Sequence, residues 1–161
     1  MAGPPAQLTP CQIAGSQTWT APAPVYLSTS GTVKICVNSD SASEVAIYGL
    51  AYADAASPTA NTEILVARFT ADQYWGVWVS NDGADSAAAQ TVVGDTYGHK
   101  VETGSPYVGY MTCDINLSTY VSMYVEDIVS NRDTKLVATT STSPGAVVIH
   151  FLQAALDTVL A

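Results

Sequence analysis

The sequence is poor in charged residues, and the few charges it has are mostly negative. Only 12% of its 161 residues are charged, and five Lys or Arg stand against 14 Asp or Glu, which gives a net charge of −9. The five basic residues are scattered along the chain, whereas binding to nucleic acid needs several of them on one surface to neutralise phosphates. An anionic membrane surface would repel the chain because both carry negative charge. We therefore expect neither a nucleic acid nor a membrane as a partner.

Long apolar runs are absent too. No run reaches the roughly 18 apolar residues of a transmembrane helix, and the opening "MAGPPAQLTP" has neither the basic nor the apolar region of a signal peptide. The three cysteines are odd in number, widely spaced and outside any metal-ligand spacing. We therefore expect the protein to be made and kept inside a cell, with its thiols free.

The residues of common active sites are scarce. Only two histidines are present, and neither accompanies the sequence context of a serine or cysteine hydrolase. His99 follows a glycine and is expected in a surface loop, whereas His150 is expected at a packed or surface-facing strand position. Glu126 and Asp127 are neighbours, so a regular strand would point them to opposite faces. We therefore expect no enzyme activity.

Cofactor and metal motifs are missing as well. The sequence contains neither a phosphate-binding loop nor the glycine fingerprint of dinucleotide-binding proteins. The stretch "SNDGAD" offers three side-chain oxygens in one loop, but it falls short of a calcium-binding loop and favours a turn. We expect no cofactor and no bound metal.

The sequence is instead rich in short β-type runs separated by turn residues. They alternate in hydrophobicity or are apolar throughout, and the breaks between them contain Gly, Pro, Asn, Asp and Ser. The clearest runs are "TVKICVN", "EVAIYGLAYA", "TEILVARF", "YWGVWVS", "YVSMYVEDIV" and "AVVIHFL". This pattern predicts an all-β fold, a small β-barrel or sandwich domain that covers residues 32–161.

Residues 1–31 have a different texture. They contain five of the eight prolines, and their apolar residues Leu8, Ile13 and Trp19 stand singly. Because proline removes a backbone donor, the segment is expected to be an extended N-terminal arm that pairs only at a sheet edge or against a partner. Leu8, Ile13 and Trp19 are then candidate contacts with another protein. On this interpretation the domain should fold without residues 1–18.

Aromatic residues concentrate in "QYWGVWVS". Trp75 and Trp78 lie three residues apart, so a strand would point them to opposite faces. One is expected in the core, and the other under a loop or a partner. Both are candidate contacts with a partner or with another subunit. A sugar-binding platform is the less favoured interpretation, because strand aromatics usually serve a core or an interface.

From Val45 to Leu156 the order of features resembles the capsid decoration, or cement, proteins of tailed bacteriophages. A Gly- and Ala-containing strand leads through an acidic break to "EILVARF", then to the aromatic segment "DQYWGVW". An Ala-rich piece, the turn "VGDTYGHKV" and the closing strand "GAVVIHFLQAAL" follow. Residues 1–31 do not fit the pattern of that family.

The resemblance implies a structural virion protein that binds the outside of a phage head and stabilises the capsid. Its partner would be the major capsid protein, its own state a homotrimer and its location the capsid exterior, after synthesis in the host cytoplasm. The alternative is a carbohydrate- or host-binding β-sandwich displayed on the virion, with Trp75 and Trp78 as the platform.

Overall fold

The computed structural model describes residues 7–36, 46–82, 84–85, 90–103, 109–129 and 145–156, which are nearly all β-structure. The first seven strands are β1 (Gln7–Gln12), β2 (Thr18–Trp19), β3 (Ala23–Leu27), β4 (Val33–Ile35), β5 (Gly49–Ala51), β6 (Ala55–Ala56) and β7 (Glu63–Arg68). The others are β8 (Trp75–Asn81), β9 (Ala84–Asp85), β10 (Thr96–Val101), β11 (Met111–Asp114), β12 (Met123–Ile128) and β13 (Ala146–Phe151). Helical structure comprises a 3₁₀ turn at Gln90–Val92 and the one-turn helix α1 (Gln153–Leu156). The predicted all-β class is confirmed. No helix of the described ranges is long and apolar enough to cross a membrane.

The first half of the chain forms a curled antiparallel sheet. Its strand order is β1-β7-β5-β3-β4. A single parallel bridge between Ile13 and Val33 joins its two ends, and the Ala14 N–H donates to the Val33 carbonyl at 3.0 Å. Strands β2 and β6 form a separate small pair. The concave side of the sheet encloses its own core, which includes Ile13, Val25 and Val66.

The second half forms a closed five-stranded barrel. Around the ring the strands follow the order β8, β13, β12, β10 and β11, and β11 returns to β8 through a parallel pairing. Strand β9 extends β8 as a hairpin whose turn begins at Asp82. Asp82 has φ 51°, a left-handed conformation that Asp tolerates better than most residues. The turn predicted in "SNDGAD" is therefore confirmed.

Alternate residues of the strands point into the barrel and fill its interior. On β13, Val147, Ile149 and Phe151 are fully buried in the barrel core, while His150 between them is partly exposed. Apolar residues from the first half also enter this core. Phe69 stacks on Phe151 with ring centroids 4.2 Å apart, and Ile47 is buried in the same cluster. The two sheets therefore share apolar contacts.

A β-bulge interrupts the alternation on β12. Val125 pairs with Ile149, but Asp127 rather than Glu126 pairs with Val148. One extra residue on β12 therefore places Glu126 and Asp127 on the outer side of the barrel together. The expectation that they point to opposite faces is wrong, because it assumed an unbroken strand.

The N-terminal segment belongs to the fold from residue 7 onward. Strand β1 is extended and pairs only at the edge of the sheet, as predicted. However, β3 lies between β5 and β4 in the sheet interior, so the exclusion of this proline-containing segment from a central position is wrong. Pro24 has no backbone N–H to donate, but it is tolerated there because its carbonyl accepts a hydrogen bond from the Cys36 N–H at 2.8 Å. Strands β1, β2 and β3, which lie within residues 1–31, thus all pair with strands from later in the chain.

Gly49 allows strands β5 and β7 to approach closely. A Cβ atom at this position would lie 2.2 Å from the Ala67 carbonyl oxygen and 2.8 Å from Val66 Cγ1. The obstacle is backbone, which cannot rotate away as a side chain can. Only glycine fits the register that brings β5 against β7.

Candidate functional site

A buried chain of three polar side chains links the two sheets. Cys36 directly follows β4, His99 lies in the middle of β10, and Ser122 directly precedes β12. The Cys36 Sγ atom is 2.9 Å from His99 Nε2, and His99 Nδ1 is 2.8 Å from Ser122 Oγ. All three side chains are buried. The arrangement resembles the nucleophile, the base and the orienting group of a catalytic site. Whether the thiol could react therefore depends on the electrostatics of the three side chains.

Burial keeps the imidazole of His99 neutral. It lowers the pKa of His99 from its usual 6.5 to about 4. A neutral imidazole donates one hydrogen bond and accepts another, which suits a chain of one thiol and one hydroxyl. It does not provide the imidazolium charge that stabilises a thiolate. The expected surface-loop position of His99 is wrong, because the residue lies within a strand that carries it into the interior.

Burial favours the protonated form of the thiols of Cys11 and Cys113. Burial, with the charge of Asp114 as a smaller contribution, raises the pKa of Cys113 to about 12. Burial also raises the pKa of Cys11, and this outweighs the opposing effects of Tyr48 and Arg68. All three cysteines are free thiols, as predicted. Neither Cys11 nor Cys113 has the low pKa of a catalytic nucleophile.

A second polar network lies where β8 and β11 pair in parallel and close the barrel. We call this pairing the seam of the barrel. The hydroxyls of Ser80 and Thr112 lie 2.7 Å apart, and the Thr112 hydroxyl donates to Glu102 Oε1 at 3.0 Å. All three residues are buried. These bonds satisfy polar side chains at the seam, which is a structural role.

Lys100 completes this seam. Its ammonium lies 2.9 Å from Asp82 Oδ1 and 3.6 Å from Asp114 Oδ2. Burial lowers the pKa of Lys100, but the hydrogen bond to Asp82 and the charges of Asp114 and Glu102 outweigh this and raise it. The lysine thus provides the positive charge among these carboxylates. Within the described ranges, no group of three or more His, Cys, Asp or Glu side chains is arranged to hold a metal ion.

The surface offers a more accessible feature, an apolar patch on the outer face of β1, β5 and β7. Leu8, Tyr52 and Leu65 are 53%, 59% and 47% exposed. Pro10 lies directly opposite Leu65 on the neighbouring strand, and the Tyr52 N–H donates to the Leu65 carbonyl at 3.1 Å. We call Leu8, Pro10, Tyr52 and Leu65 the β1 patch. Strand β1 is the last strand of the sheet, so the patch reaches a sheet edge.

The five predicted contact residues fall in different environments. Leu8 belongs to the β1 patch, whereas Ile13 and Trp19 are buried in the core of the curled sheet and have almost no surface to offer a partner. Trp75 packs edge-on against Phe69 with ring centroids 4.8 Å apart, on the side of the barrel core.

Trp78 packs instead with Val129, Ala146 and Val148 in a separate cluster. The two tryptophans therefore do not form a shared platform. Tyr52 and Leu65 were not predicted as contact residues, although Leu65 alternates with the buried Ile64 and Val66 in "EILVARF".

Comparison of the chain with protein-family models, curated proteins and solved structures finds no match.

Proposed function

We propose that this chain is a structural virion protein, which binds the outside of a phage head and stabilises the capsid. The resemblance of residues 45–156 to decoration proteins suggests this function. The observation that supports it is the β1 patch, which exposes three large apolar side chains at a sheet edge. Apolar surface rimmed by polar residues is typical of protein interaction sites.

The polar interior supports a role without catalysis. The Cys36–His99–Ser122 chain is buried, and its histidine is uncharged at neutral pH. A catalytic nucleophile must be reached by its substrate and activated by its base. The chain of hydrogen bonds satisfies buried polar groups and ties the curled sheet to the barrel.

Charge also fits a contact made through the β1 patch. The four residues of the patch are uncharged, and the exposed Glu63, two residues before Leu65 on the same face of β7, lies beside the patch rather than within it. Leucine side chains contribute about 1.5–3 kcal/mol each when fully buried. The patch therefore offers binding energy without the cost of unpaired buried charge.

The test is binding to heads assembled without this protein. We expect the double variant Leu8→Asp and Leu65→Asp to reduce head occupancy at limiting protein concentration by at least about tenfold, since losing ~1.4 kcal/mol is enough for that. Both side chains are exposed, so the melting temperature should change little. Co-sedimentation measures occupancy, and scanning calorimetry measures stability.

Tyr110→Asp is the matched control, because Tyr110 is 54% exposed but lies outside the β1 patch. It should leave occupancy unchanged. Equal occupancy for the double variant and the unmodified protein would exclude the β1 patch from head binding. Failure of the unmodified protein to bind these heads would contradict the proposed function itself.

The proposal includes a homotrimer. Light scattering coupled to size-exclusion chromatography should give three times the 16.8 kDa chain mass. A monomer at micromolar concentration would contradict this part of the proposal, while leaving the head-binding experiment as the test of function.

A further inference from the structure

Three aromatic rings form a row across the outer face of the barrel. His150 on β13 is paired with Tyr124 on β12, and their rings stack with centroids 5.1 Å apart and an interplanar angle of 28°. Tyr74, which precedes β8, lies on the other side of His150 with centroids 6.1 Å apart and an angle of 87°. The row crosses three strands, which corresponds to about 10 Å. We call Tyr74, Tyr124 and His150 the aromatic row.

A contact with a carboxylate positions the central ring of the row. His150 Nδ1 lies 2.9 Å from Glu126 Oε1, and both side chains are partly exposed. The bulge on β12 brings Asp127 to the same side of the barrel as Glu126. Polar groups that can donate to and accept from hydroxyls therefore lie directly beside the aromatic rings.

The shape of the row leaves one ring available to a ligand. Tyr124 covers His150 by stacking, whereas Tyr74 stands nearly perpendicular to His150 and is 48% exposed. The strand position two residues further on is Gly76, and a Cβ added there would meet only Val129 Cγ2, at 3.9 Å. Tyr74 thus provides an aromatic wall beside a strand position with no side chain.

We propose that the aromatic row is a binding site for a neutral pyranose sugar. The C–H face of the sugar would stack on the Tyr74 ring, and its hydroxyls would bond to His150 and Glu126. A neutral ligand fits better than a cation, because the Glu126 carboxylate already faces the imidazole of His150. The rings are held on a closed barrel, so little side-chain entropy would be lost on binding.

This site differs from the platform expected from the sequence. Trp75 and Trp78 lie on opposite sides of β8, whereas the aromatic row consists of one residue on β12, one on β13 and the residue directly before β8. The site does not depend on capsid binding. Its failure would leave the proposed decoration function untouched.

Saturation-transfer difference NMR on the full chain tests the proposal. The probes are the methyl pyranosides of glucose, galactose, mannose and N-acetylglucosamine. We expect transfer to at least one of them, loss of that signal in Tyr74→Ala, and its retention in Tyr74→Phe, because the phenyl ring preserves stacking. Tyr110→Ala, which truncates a tyrosine that is 54% exposed and lies outside both the aromatic row and the β1 patch, should retain the signal.

Three results would overturn the proposal. The first is the absence of transfer to all four pyranosides, and the second is a signal that Tyr74→Ala leaves unchanged. The third is selective binding of tetramethylammonium over the sugars, with an affinity that falls as salt is added, since this would identify the row as a site for cations.

Discussion

A variant that begins at residue 19 is expected to lose the cooperative unfolding transition of the curled sheet. The deletion removes all of β1, which pairs with β7 from Gln7 to Gln12. It also removes Ile13, which is fully buried and forms the bridge to Val33. The sheet would lose one edge strand, its closure and a core side chain together. This expectation replaces the one drawn from the prolines, under which residues 1–18 were dispensable for folding.

The expected loss is large compared with the stability of a domain. Truncating a buried isoleucine to alanine alone costs about 2–5 kcal/mol, and the total stability of most domains is roughly 5–15 kcal/mol. Ile13→Ala should therefore lower the midpoint of urea unfolding clearly, and the deletion should lower it further or abolish the transition. Circular dichroism and tryptophan fluorescence during urea titration measure both effects.

A shorter deletion is the matched control. Removing residues 1–6 leaves every contact of β1 and Ile13 described above in place, so its unfolding midpoint should match that of the full chain. The variant that begins at residue 19 could instead unfold at the same urea concentration as the full chain. In that case residues 1–18 contribute nothing to stability and form a separate arm.

Local sequence pattern was sufficient to predict the all-β class. Alternation in "AVVIHFL" and "YVSMYVEDIV" correctly assigned β13 and β12, and the turn residues in "SNDGAD" correctly marked the turn that follows β8. These features depend on neighbours in sequence, which is why periodicity detects them.

Features that depend on contacts between residues far apart in the sequence could not be predicted from local sequence pattern. The composition of residues 1–31 indicated an arm, yet Ile13 and Trp19 find partners in strands that lie far along the chain. A proline lacks a backbone N–H group, but its carbonyl can still accept a hydrogen bond. Strand β3 can therefore lie inside the sheet, because its carbonyl groups accept hydrogen bonds from neighbouring segments. The bulge on β12 was likewise invisible, because it is defined by register against β13.

The candidate sites show the same limit. The residues before His99 read as a turn, and only the pairing of β10 with β11 and β12 places the imidazole between Cys36 and Ser122. The β1 patch was predicted in part through Leu8, but Tyr52 and Leu65 join it through sheet order. The aromatic row is assembled by three strands. None of these groups occupies a contiguous motif.

Replacing His99 by alanine is expected to destabilise the protein by about 3–5 kcal/mol, from the cavity together with the lost hydrogen bonds. The imidazole is fully buried and bonds to side chains from both halves of the chain. Its removal leaves Ser122 and Cys36 without these partners in the interior. Urea unfolding measures the loss.

The same residue should make stability depend on pH. The pKa of His99 is about 4 in the folded protein, compared with 6.5 when the side chain is exposed, so the unfolded chain binds more protons between these values. The stabilising contribution is complete above pH 6.5 and declines as the pH falls towards 4. A shift of this size corresponds to about 3 kcal/mol.

His99→Gln separates the titration from the packing. Glutamine keeps a donor and an acceptor but does not titrate, so this variant should lose less stability than the full chain as the pH falls from 6.5 to 4. Ser122→Ala provides the opposite control, because it removes a hydrogen-bond partner while retaining the buried imidazole, and its pH dependence should persist. If His99→Gln and the full chain lose equal stability over this range, His99 does not bind a proton on unfolding and its interior position is wrong.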